Sequence, residues 1–416
     1  MALQTSYPVP RLLVIGGGTA GIGVIASLKK RIRNLQITVI DPSENHYYQP
    51  GWTLVGGGLY ANQKTIRPMR EVLPEGVTWI QENVSAVDPL SQHVTTKSGK
   101  QLSYDFLVIA CGVVLCWDKI EGLEETLGRN GVTSNYRPGL APYTWQLAST
   151  LSRGNAIFCQ PMTPFKCAGA PQKALYLSCE HWQKKGVLSN INVRFNVAGK
   201  AIFSVPYFIP ILKSYLERYT ASVSYSSELI KVDGNNQLAT FRISEEGQAD
   251  REETYPFDML HAVPPQTAPT FIADSGLANP DGWCDVDQKT LQHTKYPEIF
   301  ALGDCCSAPA SKTAAAARKQ IVVVAENLSN IIQGSTPLTH YDGYGSCPLT
   351  VARGHVVLAE YGYQNKLLPT FPGEPARASR LAWYLTARFL PFFYWRGMLK
   401  GVEWFARSKP EKSESQ

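Results

Sequence analysis

The sequence predicts an α/β protein of two Rossmann-like domains, the first of them discontinuous, followed by an amphipathic C-terminal segment that associates with a membrane. Three observations carry this expectation. An apolar run, Leu12-Leu13-Val14-Ile15, meets Gly16-Gly17-Gly18-Thr19-Ala20-Gly21 and then a helical stretch, which reads as strand, tight turn and helix. A second strand–turn–helix unit opens at residues 155–160, and the composition of the first returns near residue 298. Residues 376–410 then set aromatic side chains among Lys and Arg.

The first unit is the best defined. Gly16 turns the chain sharply, Gly18 leaves bare backbone where a pyrophosphate can approach, and Gly21 is small where helix meets strand; the anion rests on the helix N-terminus. A second apolar run, residues 36–40, ends in Asp41 about twenty residues after Gly21, where a carboxylate accepts hydrogen bonds from a ribose. Residues 42–52, Gln49 among them, form a polar and aromatic loop read as passing near the cofactor. Residues 78–80 and 84–87, the latter opened by Val84, read as strands, and 93–96 with 101–104 as a hairpin. Residues 104–112 form a buried strand ending in the small-residue turn Ala110-Cys111-Gly112. The stretch 116–152 is loop-rich.

The second unit departs from the first at its turn. Where a nicotinamide-binding domain carries its own G-x-G-x-x-G, this chain has Pro161-Met162-Thr163-Pro164-Phe165-Lys166-Cys167-Ala168-Gly169-Ala170-Pro171. Prolines and a phenylalanine keep a pyrophosphate from the backbone, so a second dinucleotide is not expected here. Pro171 suits the first helical position, and the helix runs to a stop at Gly186. Leu175, Cys179 and Trp182 share one face of it, which marks Cys179 as core. Strands are expected at 193–197, 222–225, 227–232, 238–243 and 257–262. Residues 298–304 form a short strand ending in Gly303-Asp304, whose acid faces a long alanine-rich helix, 312–333, closed by Gly334. Residues 336–375 read as irregular, with Cys347 in a Gly/Ser/Pro loop. Residues 376–410 are cationic, aromatic and too short to span a bilayer, the signature of an interfacial segment; the competing reading is an aromatic core helix pair. The tail 409–416 is expected to be disordered.

Whole-chain properties narrow the function. The 416 residues suffice for two or three cores, and 44% hydrophobic with 18% charged residues fits a globular protein. A net charge of +6 without a basic, aromatic-interleaved groove argues against nucleic acid. The longest uncharged apolar runs, 106–117 and 201–212, fall short of the ~18 residues that cross a bilayer. The first strand begins too early for a leader, so the chain stays where it is made or a leader has been removed. Nine irregularly spaced cysteines lack any C-x-x-C or Cys/His pairing, so neither a disulfide scaffold nor a structural metal is expected.

Taken together, these residues resemble the two-dinucleotide-binding-domain disulfide reductase superfamily and, within it, the mitochondrial-type (type II) branch of the sulfide:quinone oxidoreductases. The resemblance rests on the Gly16–Gly21 turn, Asp41-Pro42-Ser43-Glu44 with His46-Tyr47-Tyr48-Gln49-Pro50-Gly51-Trp52, Lys166-Cys167-Ala168-Gly169-Ala170-Pro171-Gln172-Lys173, Gly303-Asp304-Cys305 with Ser311-Lys312-Thr313, and Tyr341-Asp342-Gly343-Tyr344 with Cys347-Pro348-Leu349. It implies domains of the FAD/NAD(P)-binding type at 1–115 with 290–345 and at 116–289, and a redox loop with a membrane and quinone segment at 346–416. It implies FAD, held non-covalently by Gly16, Gly18, Thr19, Ala20, Gly21, Asp41, Gln49, Val84, Ala110, Gly112, Gly303, Asp304, Lys312 and Lys400.

The resemblance further implies that Cys167 and Cys347 share a sulfur bridge. Hydrogen sulfide would attack it at Cys347 to leave a persulfide, and the freed Cys167 thiolate would pass two electrons to the flavin at C4a and on to ubiquinone or menaquinone. A thiol such as glutathione, or sulfite, would take the sulfane sulfur. It also implies a peripheral or monotopic seat on a bacterial cytoplasmic or mitochondrial inner membrane, with homo-oligomerisation open. The residues agree that Cys167 is the reactive thiol, since it precedes a helix N-terminus and neighbours Lys166, and both favour the thiolate. The rival readings are a type II NADH:quinone oxidoreductase, which the missing second glycine turn opposes, and a soluble sulfide dehydrogenase flavoprotein subunit, which the C-terminal segment opposes.

Overall fold

The computed structural model of the chain describes residues 9–336, 339–404 and 406; Phe405 and the tail lie outside the described residues. Arg11–Ile15 is the central strand of a five-stranded sheet ordered Ile299–Ala301, Phe106–Ile109, Arg11–Ile15, Gln36–Ile40, Thr78–Ile80, every pairing parallel. The strands are apolar on both faces because both are covered, and the covering core takes in helical side chains as well as Val87 and Val94 of an antiparallel sheet. Thr19–Arg31 and Ala314–Ile332 pack on this sheet, the second capped by the Thr313 hydroxyl, which accepts from Ala316 N–H.

A second all-parallel sheet, ordered Val132–Thr133, Met259–His261, Gly154–Gln160, Ile191–Val197, Ser222–Ser224, carries the helix Ala170–Lys185. Gly186 ends that helix at φ +72°, and Leu175, Cys179 and Trp182 are fully buried beneath it. Two small antiparallel sheets flank the domains, Val84–Asp88 with His93–Thr96 and Gln101–Ser103, and Ser227–Asp233 with Leu238–Ile243 and Arg251–Pro256.

Four expectations change. The loop-rich stretch contains the helix Ala141–Thr150. Residues 268–286 pack into the first core, so the chain returns to the first domain before position 290. The irregular stretch holds a hairpin, Gly345–Ala352 with His355–Tyr361, so Cys347 sits in a strand and not a loop. That hairpin packs into the core of the second domain, through Cys347, Leu349 and Val351.

The C-terminal segment divides by residue. After a Ser379 cap it forms Arg380–Tyr384, a π-type stretch Leu385–Phe389, and Leu390–Arg396. Phe393, Tyr394, Trp395, Met398 and Leu399 are buried in the first core, whereas Leu381, Tyr384 and Phe392 are 65%, 64% and 64% exposed. The core reading therefore holds for the first set of side chains, and the second set leaves an apolar face open. No helix among the described residues is long and apolar enough to cross a membrane.

Candidate active site

At the glycine turn the three glycines have distinct tasks. A Cβ on Gly16, at φ +103°, would lie 2.5 Å from Ala110 O, and one on Gly21 would lie 1.9 Å from Gly16 O, so both are glycine because backbone presses on them. Gly18 has nothing within 4 Å of that position. It is the bare edge a phosphate can approach, at the N-terminus of Thr19–Arg31. Gly17 N–H donates to Asp41 Oδ2 at 2.6 Å and Ser43 N–H to Oδ1 at 2.8 Å, which fixes the acid beside the turn, while burial raises its pKa. The turn therefore fits a dinucleotide pyrophosphate, with Ala110, Gly112, Gly303 and Asp304 at the ends of the neighbouring strands.

The second cluster forms where the two domains meet. Cys167 holds a left-handed backbone, φ +50°, a conformation that costs a non-glycine residue about 1–3 kcal/mol. Three hydrogen bonds fix it: Cys167 N–H to Lys312 O at 2.8 Å, Ala170 N–H to Cys167 O at 2.8 Å, and Tyr136 Oη–H to Cys167 O at 3.1 Å. Cys347 lies against Cys167, and their interaction lowers the Cys167 pKa while raising that of Cys347. Burial opposes the Cys167 thiolate, but Lys173 Nζ, 3.4 Å from its Sγ, supports it. Lys173 is only 5% exposed, and the two sulfurs outweigh its burial and hold its ammonium above the usual pKa. The pair is thus a thiolate with a neighbouring thiol, its charge favoured by a nearby cation as in other reactive cysteines.

Gly169 makes the pairing possible. A Cβ there would lie 2.4 Å from Cys347 Sγ and 2.4 Å from Leu349 Cδ2, although its backbone is at an ordinary φ of −89°. Gly169→Ala is therefore expected to push the Cys347 strand off the cysteine helix, slowing any reaction that needs both sulfurs about tenfold or more, because overpacking typically costs about 1–3 kcal/mol. Thiol–thiol crosslinking by a short oxidant checks it, and an unchanged crosslinking rate would refute the role.

Most of the expected residues converge. Lys166 Nζ donates to Gln49 Oε1 at 2.6 Å and lies over the Trp52 and Tyr136 rings, its pKa pushed down to about 8 by burial against the pull of Asp304 and Cys167. It is not the hydrogen-bonding cation at the Cys167 sulfur; that is Lys173. Asp304 is raised by burial and opposed by Lys312 and Lys166, while Lys312 Nζ donates to Asp304 O at 2.6 Å. Gln49, Lys166, Asp304 and Lys312 therefore join the glycine turn to the cysteines.

One residue lies apart from them. Lys400 is exposed in a turn where Gly401 packs on Ala26 O, midway along Thr19–Arg31 and away from its N-terminus. Val84 opens the small antiparallel sheet, paired with Thr96, four residues after Ile80, whose carbonyl accepts from Asp41 N–H at 3.1 Å. Sequence reasoning missed Lys173 as the thiolate partner, although a lysine in the first turns of a helix works against the helix dipole and so signals an anion nearby. Cys159, Cys179 and Cys284 are buried and their pKa values are raised, chiefly by that burial.

Fold and site define a flavin-type oxidoreductase, with Cys167 at the turn of its second strand–turn–helix unit and Cys347 beside it. Residues 10–140 match the family profile described as pyridine nucleotide-disulphide oxidoreductase. Over 94% of its length and 86% of the relative's, the chain is 39% identical to the mitochondrial sulfide:quinone oxidoreductase of Mus musculus, and over 96% and 88% it is 38% identical to that of Dictyostelium discoideum. The crystal structure of the sulfide:quinone oxidoreductase from Aquifex aeolicus has the same fold, with a TM-score of 0.79 and 19% identity over 95% of this chain and 92% of that one. The chain belongs to the sulfide:quinone oxidoreductase family.

Proposed function

We propose that this protein oxidises hydrogen sulfide through Cys167 and Cys347 and passes the two electrons by way of FAD to a membrane quinone. The single observation that carries the residue assignment is the Cys167–Cys347 pair with Lys173 Nζ at 3.4 Å from the Cys167 sulfur. When bound, FAD would supply a two-electron acceptor, and the residues that would hold it are the Gly16–Gly21 turn, Asp41, Gln49, Ala110, Gly112, Gly303, Asp304 and Lys312.

In the proposed reaction hydrosulfide attacks the bridged Cys347 sulfur, the Cys347–Cys167 bond breaks, and Cys167 leaves as thiolate. Lys173 takes the charge of that leaving group, so the cleavage generates an ion pair and not an isolated buried anion. A low-molecular-weight thiol or sulfite then takes the outer sulfur of the Cys347 persulfide, and the two sulfurs close again as two electrons depart. Anaerobic titration with sulfide, followed by flavin absorbance, tests the reading. Bleaching by sulfide and not by NADH is expected, and the reverse outcome would overturn it.

A peripheral membrane seat and a lipid-facing quinone entrance are part of the same proposal. Leu381, Tyr384 and Phe392 expose apolar surface beside Arg380, Arg388 and Arg396, which suits an anionic lipid boundary. Changing all three apolar residues to Ser should abolish sedimentation with anionic liposomes and leave the thermal midpoint in place, because none of them is core. Phe393→Ser and Trp395→Ser should instead lower the midpoint, at about 3–5 kcal/mol for loss of a buried aromatic.

A further inference from the structure

A line of buried hydrogen bonds connects the glycine turn to the C-terminal segment, and its proton order can be read. His46 Nδ1 is 3.0 Å from Gly17 O, and a carbonyl only accepts, so Nδ1 carries the proton. Burial lowers the His46 pKa to about 4, which leaves the ring neutral and Nε2 an acceptor. Tyr394 Oη, 2.6 Å from Nε2, therefore donates to it, and its own lone pair accepts from Thr19 Oγ1 at 2.7 Å. The line runs one way, from Thr19 through Tyr394 and His46 to the Gly17 carbonyl. His46 is 2% exposed and Tyr394 3%.

Both ends of this line lie in the nucleotide turn, His46 lies in the strand Asn45–Tyr47, and Tyr394 lies in the segment that carries the exposed apolar face. A peptide unit is planar and trans, so holding the Gly17 carbonyl also sets the Gly18 N–H in the opposite direction. Gly18 is the glycine with open space at its edge, where a phosphate approaches. The other end holds Thr19, the first residue of the helix that receives the anion. The Tyr394 ring is meanwhile fixed by packing on Tyr48, with centroids 4.7 Å apart, and edge-on against Trp395 at 5.0 Å.

We propose that Tyr394 is a positioning residue for FAD, bracing the glycine turn from the C-terminal segment so that cofactor binding and the seating of residues 390–400 reinforce each other. Such coupling is reciprocal: whatever the seated segment adds to FAD affinity, FAD adds to the stability of the segment. The inference rests on FAD as the cofactor and not on the sulfide chemistry. Failure of sulfide to bleach the flavin would leave the measurements below readable.

Tyr394→Phe keeps the ring packing and removes only the hydroxyl that links His46 to Thr19. Its apoprotein is expected to bind FAD about tenfold more weakly by flavin fluorescence titration, because the turn is then no longer held in its binding conformation before FAD arrives. In the wild-type protein, FAD should slow amide hydrogen exchange in residues 390–400, and in Tyr394→Phe that slowing should shrink. A purely structural tyrosine would lower the thermal midpoints of apo and FAD-bound protein equally and leave FAD affinity unchanged, which would overturn the proposal. Should the variant not fold, exchange in the wild-type protein alone decides: equal rates at residues 390–400 with and without FAD would equally overturn it.

Discussion

Cys167→Ser and Cys347→Ser are each expected to abolish sulfide-driven flavin reduction, by about a thousandfold or more, with FAD still bound. The magnitude follows from groups that act as one unit. Losing either sulfur removes the bridge, so the double variant should be no slower than either single one. FAD retention is expected because the glycine turn and Asp41 make their contacts within the first domain, away from both sulfurs. Cys159→Ser, Cys179→Ser and Cys284→Ser serve as controls, since those thiols are buried in the cores and outside the pair. Anaerobic rapid mixing with sulfide measures the rate. Near-normal reduction in either active-pair variant would remove the assignment.

What the sequence revealed follows from how local each signal is. The strand, glycine turn and helix at Arg11–Ile15 and Thr19–Arg31 are written in adjacent residues, as are the proline start and glycine stop of Ala170–Lys185. Cys347 misled because Gly345, Ser346 and Pro348 carry turn chemistry, whereas its strand is imposed by pairing with His355–Tyr361 and by burial on the second core. The helix Ala141–Thr150 was hidden behind Pro142 and a mixed pattern, although proline is well placed at a helix start.

The C-terminal segment shows a different limit. Its aromatic and basic composition is legible, but the sides of Phe392 and Phe393 are not, because adjacent helical residues point about 100° apart and only the docking surface decides which is inside. Lys400 was expected near the cofactor by resemblance, and the turn after Met398 carries it to the outside. Lys173 was visible but unread: its partner is a sulfur six residues back, and the contact depends on the left-handed bend at Cys167.

Lys173→Met follows from that contact and can be argued with its sign. The ammonium is held above its usual pKa by the two sulfurs, so it stays charged across the range in which Cys167 titrates. Wild-type activity should therefore fall toward acid as Cys167 gains its proton, with no separate loss from Lys173. Methionine fills similar volume without charge, so the Cys167 thiolate loses its cation and its pKa rises. The acid limb of the rate profile must then move to higher pH. Near pH 5, about where the wild-type Cys167 titrates, the thiolate-dependent step should slow by roughly 10- to 100-fold, the equivalent of about 1.5–3 kcal/mol for a hydrogen bond to a charged group, and it should recover as the pH is raised through neutrality. Stability should fall where Cys167 is ionised, because removing one partner leaves the buried thiolate without its cation. The decisive measurement is sulfide-dependent flavin reduction across pH for both proteins. A uniform loss at every pH, with the acid limb unmoved, would mean that Lys173 packs the helix and does not hold the thiolate.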